Sequence, residues 1–192
     1  MIAHLTLDDI IQMTLDAGED WAVAHAKRLI ELVREISAGL PYDHQVLVLA
    51  AYLHDWGAFP KYAQRNMEHA IRSRQVVESE IIPQLDLTPA QKDALLEAIE
   101  LHDYRDTRPV TSREALLLRE ADMLEFLGMI GMARDFARGP RNVETCYRRI
   151  LSRRSDIQDR FTIPRAQEIA SLRLQRMETS LDWLLEESFG VL

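Results

Sequence analysis

Four residues able to bind a metal or move a proton sit where the sequence otherwise wants apolar side chains. His25 lies on a stripe with Leu29, Leu32, Val33 and Ile36, the spacing of one helix face. His54 and Asp55 close the apolar run Val46-Leu47-Val48-Leu49-Ala50-Ala51-Tyr52-Leu53. Asp122 follows Ala121 inside the stripe Leu118, Ala121, Asp122, Glu125, Met129. A carboxylate buried without a partner is costly and takes up a proton instead. Two imidazoles and two carboxylates brought to one place share a natural partner, a divalent cation, and that mixed donor set suits Zn, Fe, Mn, Ni or Co. A lone histidine on an apolar face is more often a satisfied core residue. His-Asp pairs also arise by chance, and this chain has both His54-Asp55 and His102-Asp103. The signal is therefore carried by order, spacing and helix placement together.

Helices must position these groups. No strand-like alternation is visible, whereas helical periodicity recurs. The stripe holding His25 predicts a helix over about 20–36. Residues 43–55 are apolar nearly all round, as in a central buried helix, and Gly57 is a plausible stop. Residues 58–66, with Pro60, read as a loop, and a helix over about 67–82 stops before Pro83. Thr88-Pro89-Ala90-Gln91 is a capping box opening a helix with Leu95, Ile99 and His102 on one face, and Pro109 sits in the turn beyond it. Thr111-Ser112-Arg113-Glu114 reads as a second capping box, opening a long helix that runs through Met129. Further helices are expected over 143–154 and 164–189. The last carries Ala170, Leu174, Met177, Leu181 and Leu184, a seam that either packs on the domain or forms a homodimer contact.

Composition sets the class. The chain has 192 residues, 47% hydrophobic and 28% charged, an ordinary balance for one globular domain. The single cysteine, Cys146, makes no internal disulfide, which fits a reducing compartment. Met1 to Thr6 shows no leader-like pattern, and Val46–Leu53, the longest apolar stretch, is too short to span a bilayer, so a soluble cytoplasmic protein is expected. A net charge of −8 argues against nucleic acid as the main partner. The charge is uneven: residues 134–176 carry 11 Arg, no Lys and 5 Asp/Glu, either a solvated face or a guide for an anionic substrate. Cys146 lies beside Arg148 and Arg149 but near no histidine in sequence, so a catalytic cysteine is not expected. Gly128-Met129-Ile130-Gly131 lacks the Gly-Lys-Ser/Thr ending of a phosphate loop and reads as helix packing.

The order His25, His54-Asp55, Asp122 resembles the HD superfamily of metal-dependent phosphohydrolases. The strings His25-Ala26-Lys27-Arg28-Leu29, Ala51-Tyr52-Leu53-His54-Asp55-Trp56-Gly57 and Glu120-Ala121-Asp122-Met123-Leu124-Glu125-Phe126-Leu127-Gly128 carry the resemblance, which covers about residues 20–138. It implies an all-α fold, a helical bundle with the metal site between central helices. It also implies one domain over 1–192, with helices from 140 onward packing on the motif core. In binuclear members the ligand order resembles His25, His54, Asp55, His69, His102 and Asp122, with Asp55 bridging. With a single ion, His69 and His102 would instead hydrogen-bond the substrate or the leaving oxygen. The implied chemistry is phosphoester hydrolysis of a small phosphorylated metabolite such as a nucleotide, by water activated on one or two ions (Mn, Fe, Ni, Co, Zn or Mg). Asp55 would orient that water or act as general base. Lys61, and less strongly Arg65 and Arg72, would meet the phosphate, while Arg28 anchors the fold. Trp56, Phe59 and Tyr62 either stack on a base or belong to the core. The rival readings are a di-iron oxygenase on the same ligands, a nucleotide-binding regulatory domain without turnover, and a purely structural metal site.

Overall fold

The computed structural model describes residues 4–192. Residues 1–3, on which the expectation of no leader partly rests, lie outside the described residues. Among the described residues there are helices and turns and no strand, the all-α class expected. No helix among them is long and apolar enough to cross a membrane. The chain forms two compact units that divide between Arg119 and Glu120.

The first unit starts with α1 (Leu7–Ser37), which begins well before the expected residue 20. Thr6 opens it with a reciprocal capping box: its hydroxyl accepts from the Asp9 amide at 3.2 Å, and the Asp9 carboxylate accepts from the Thr6 amide at 2.8 Å. The buried face of the early turns passes through Ile10, Thr14 and Ala22 before reaching His25 and Leu29. Helix α2 (His44–Leu53) is capped by Asp43, whose carboxylate accepts from the Val46 amide at 3.0 Å. It is buried along nearly its whole length and packs on α1 and α4, the central helix that its apolar run predicts. It stops at Leu53, so His54 and Asp55 lie in the exit turn, before the short 3-10 turn Trp56–Ala58.

Helix α3 (His69–Val76) follows the expected loop. The α-helix ends earlier than the expected 82, because a wide π-type turn (Val77–Ile81) and a 3-10 turn (Ile82–Gln84) carry the chain through Pro83. Helix α4 (Pro89–Glu100) opens with the expected Thr88/Gln91 capping box. The second predicted box is not formed. In α5 (Arg113–Glu125) it is Ser112 that accepts from the Ala115 amide, at 3.2 Å. Thr111 instead gives its amide and hydroxyl to Glu97, at 2.6 and 2.7 Å, and Glu114 accepts from the Asp43 amide at 2.7 Å. Two tertiary partners, the Glu97 carboxylate and the Asp43 amide, thus outcompete the local box and shift the cap by one residue.

The second unit holds the end of α5, then α6 (Gly128–Arg138), α7 (Val143–Ile157) and α8 (Pro164–Glu187). The helix expected to run through Met129 breaks before it. Gly128 has φ +70°, a left-handed conformation that costs glycine little and other residues more, and it turns the chain into α6. Helix α6 packs on α8, where the Ser180 hydroxyl donates to Met129 Sδ at 3.1 Å. Ala170, Met177 and Leu181 of the α8 seam are buried inside the unit. Glu120, 1% exposed, serves the start of α8: its carboxylate accepts from the Thr162 amide at 2.8 Å, the Thr162 hydroxyl at 2.6 Å and the Ile163 amide at 3.1 Å. Cys146 is buried, its sulfur 3.4 and 3.2 Å from the carbonyl oxygens of Asp135 and Pro140, a packed structural role.

Candidate metal centre

Five of the expected ligands converge within the first unit, each delivered by a different local device. His25 comes from the middle of α1, on the buried face. His54 and Asp55 come from the exit turn of α2, where the helix period ends and adjacent side chains can point toward one centre. His69 is the first residue of α3. His102 follows directly on α4 and Leu101, its C-cap.

Asp55 is the hub. Its Oδ2 lies 3.5 Å from His54 Nε2 and 4.0 Å from His25 Nε2. Its Oδ1 lies 3.4 Å from His69 Nε2 and 3.7 Å from His102 Nε2. Four imidazole nitrogens therefore surround one carboxylate, two at each oxygen. Ligand atoms of His54, Asp55 and His102 all lie within 4.8 Å of one another.

The tautomers of two of these rings follow from their backbone contacts. A carbonyl only accepts, so His54 Nδ1 donates to Ala51 O at 3.0 Å and His102 Nδ1 donates to Ile99 O at 2.7 Å. In the neutral ring the lone pair is then on Nε2, the atom facing Asp55. Lone pairs directed at a carboxylate, which itself only accepts, form a donor set that a cation satisfies. The residues present therefore fit a divalent ion.

Charge at the hub agrees with this. Burial pushes the Asp55 carboxyl pKa up, but the facing His54, His102 and His25, when protonated, outweigh it and hold it well below the usual carboxylate range; a cation held among the neutral rings would supply that positive charge in their place. His69 is pushed down, by burial and by His102, toward the neutral form that a metal ligand needs. The side chains of His25, His54 and His102 are 2%, 2% and 1% exposed, whereas those of Asp55 and His69 are 21% and 23% exposed. The cluster is thus walled on one side and open on the other, as a site that admits a substrate must be.

Gly57 permits this arrangement. A Cβ there would lie 2.1 Å from the His69 carbonyl oxygen and 2.6 Å from the Ser73 amide nitrogen. Only glycine lets the 3-10 turn lie against the start of α3, and its amide donates to Ser73 Oγ at 2.7 Å to hold it there. The residue thus sets where His69 enters the site; as a helix stop it has no role, since α2 has already ended.

Asp103 joins the cluster although the sequence reading gave it no role. Its Oδ2 lies 3.8 Å from His69 Nδ1. Burial raises its pKa, but hydrogen bonds from Arg105, at 2.5 Å through Nη2, bring it below the usual value. An ionised carboxylate behind a histidine fixes that ring's orientation and tautomer. The available signal was that Asp103 follows His102 in the same His-Asp order as the first pair.

The remaining expected site residues have contacts of their own. Lys61 is exposed, with Nζ 4.9 Å from the centre of the Tyr62 ring. Arg72 Nε donates to Tyr62 O at 2.8 Å and so holds the loop, and Arg65 is exposed on that loop. Trp56, Phe59 and Tyr62 are all core: Trp56 Nε1 donates to Thr14 Oγ1 at 3.0 Å, and its ring stacks on Tyr62 at 5.1 Å. Asp122 is buried on α5, in its second-unit part.

The profile of the HD domain matches residues 23–127, more than half of the chain. No curated protein matches the sequence. Solved structures do resemble it. A predicted HD superfamily hydrolase from an uncultured Thermotogales bacterium is 23% identical with a TM-score of 0.65, over 94% of this chain and 90% of that one. Bacillus subtilis YpgQ, in complex with ADP, is 20% identical with a TM-score of 0.69, over 95% and 97%. An HD-superfamily hydrolase from Bacillus thuringiensis is 19% identical with a TM-score of 0.63, over 94% and 95%. At these identities the likeness shows a shared fold. Together with the profile match, it establishes that the chain belongs to the HD domain family.

Proposed function

We propose that this protein is a metal-dependent phosphohydrolase that cleaves a phosphoester of a nucleotide or a related small phosphorylated metabolite. The observation that carries the reading is Asp55, with two imidazole nitrogens at each carboxylate oxygen. That pairing supports a divalent-metal site that Asp55 would hold together with His25 and His54 at one oxygen and His69 and His102 at the other. Asp122 completes the ligand set by the sequence resemblance, and its position falls inside the span matched by the HD profile. A divalent ion in such a site lowers the pKa of a bound water and polarises a phosphoryl oxygen.

The chain's own residues do the rest. Asp55, held ionised, would orient the attacking water. Carbonyls of Ala51 and Ile99 fix the His54 and His102 rings, so the site needs little reorganisation during reaction. Asp103 holds His69 at the open edge. Lys61 and Arg65, exposed on the loop that follows Asp55, are the proposed cations that meet the substrate phosphate. A nucleotide is favoured because a protein of the same fold was crystallised with ADP. One domain over 1–192, acting in the cytoplasm, is part of the same proposal.

The test is phosphate release from a panel of nucleotides and other phosphoesters, with Mn, Co, Ni, Mg or Fe added. Turnover that depends on metal and disappears in His54→Ala supports the reading. Nucleotide binding with no turnover under any of these metals would instead favour a regulatory binding domain, which the ADP-bound relative also accommodates.

A further inference from the structure

The second unit contains a basic pocket that the proposed chemistry does not use. It is a cavity of about 200 Å³ lined by Phe126, Arg134, Asp135, Arg138, Arg149 and Arg153. Four arginines line it beside a single carboxylate, Asp135, which contacts Arg149 and Arg153. Glu125, 3.6 Å from Arg134, adds one more negative charge, and the balance remains positive.

These side chains are held in place. Asp135 is 5% exposed and works as a strut: Oδ1 lies 3.4 Å from Arg149 Nη2, and Oδ2 accepts from Arg153 Nη1 at 2.5 Å. The guanidinium groups of Arg153 and Arg134 lie 4.6 and 5.2 Å from the centre of the Phe126 ring, which fixes their planes. A guanidinium has five N–H donors, and one carboxylate offers about four acceptor sites in all, so Asp135 cannot saturate its neighbours. The Nη1 atom of Arg134 is buried and makes no hydrogen bond. Arg134, Arg149 and Arg153, held by these contacts and with donors to spare, match a tetrahedral oxyanion better than any neutral or cationic ligand. The volume equals about seven waters at roughly 30 Å³ each, enough for a phosphate or diphosphate group.

We propose that this pocket is a phosphate-binding site, taking inorganic diphosphate or a phosphate group of like charge, through Arg134, Arg138, Arg149 and Arg153 positioned by Asp135 and Phe126. The site is built from second-unit residues alone and does not depend on the metal-centre reading. It also gives a use to the lysine-free, arginine-rich stretch 134–176.

Calorimetric titration of inorganic diphosphate into the full chain at low salt tests it, run on the natural sequence, on Arg149→Gln and on His54→Ala. Arg149 is 45% exposed, so its replacement leaves the fold intact, which a thermal melt checks. The proposal expects one diphosphate per chain, affinity weakened about tenfold or more by Arg149→Gln, and affinity unchanged by His54→Ala. Absence of binding at millimolar diphosphate, equal affinity in Arg149→Gln, or loss of binding in His54→Ala would each overturn it.

Discussion

Replacing Gly57 with alanine should damage stability and the metal centre together, because one close contact serves both. The added Cβ would meet the His69 carbonyl oxygen at 2.1 Å and the Ser73 amide nitrogen at 2.6 Å, and both are backbone atoms that cannot swing aside. The start of α3 must retreat by about 1 Å to restore ordinary contact. That movement stretches the 2.7 Å bond from the Gly57 amide to Ser73 Oγ and draws His69 Nε2 away from Asp55, now 3.4 Å, and from His102 Nε2, now 3.1 Å. Overpacking of this kind costs about 1–3 kcal/mol, and losing a buried hydrogen bond adds about 1 kcal/mol. A total of about 2–4 kcal/mol lowers Tm by roughly 5–15 °C for a chain of this size. Circular dichroism melts, paired with metal analysis of the same sample, read both effects. A Gly57→Ala protein with unchanged Tm and unchanged metal content would refute the argument that this glycine sets the position of His69.

Two further predictions concern buried or half-buried carboxylates. Burial raises the Glu97 pKa, but hydrogen bonds from Ser112 and Thr111 bring it below its ordinary value. Its stabilising contribution is therefore fully present above the unfolded carboxyl pKa, about 4.3, and is lost as pH falls through the lower folded value. Chemical denaturation of Glu97→Gln should show a deficit at pH 7 that narrows below about pH 4, and a deficit independent of pH would be wrong for this account. Glu120→Ala strips the acceptor from Thr162 and Ile163 at the start of α8. It should cost about 2–3 kcal/mol in urea unfolding, and a change under 0.5 kcal/mol would remove the capping role.

Much of this was legible in the sequence because burial and chemistry were written in the same residues. His54-Asp55 ends a run that is apolar all round, so α2 and the His-Asp pair at its end were both visible. The first half of α1 was not, because its buried face is Ile10, Thr14 and Ala22, spaced as a helix but too small and polar to register as a hydrophobic stripe. The end of α5 was hidden because the apolar period continues through Met129, across a break that only the backbone at Gly128 reveals. The cap moved from Thr111 to Ser112 because Glu97, a partner remote in sequence, takes the Thr111 amide and hydroxyl. Asp103 escaped notice for the same reason, since its role depends on His69, brought close by tertiary packing. The contacts of Lys61 with the Tyr62 ring and of Arg72 with the Tyr62 carbonyl are likewise tertiary and could not be read from the sequence.

The central claim is that Asp55 and the imidazoles around it hold catalytic divalent metal. Elemental analysis of the purified chain, beside His54→Ala and His69→Ala, tests it most directly. The account predicts about two equivalents of transition metal per chain, reduced in each variant, with melts showing the variants still folded. A folded natural chain that carries no metal and takes none up from Mn, Co, Ni, Fe or Zn would contradict it.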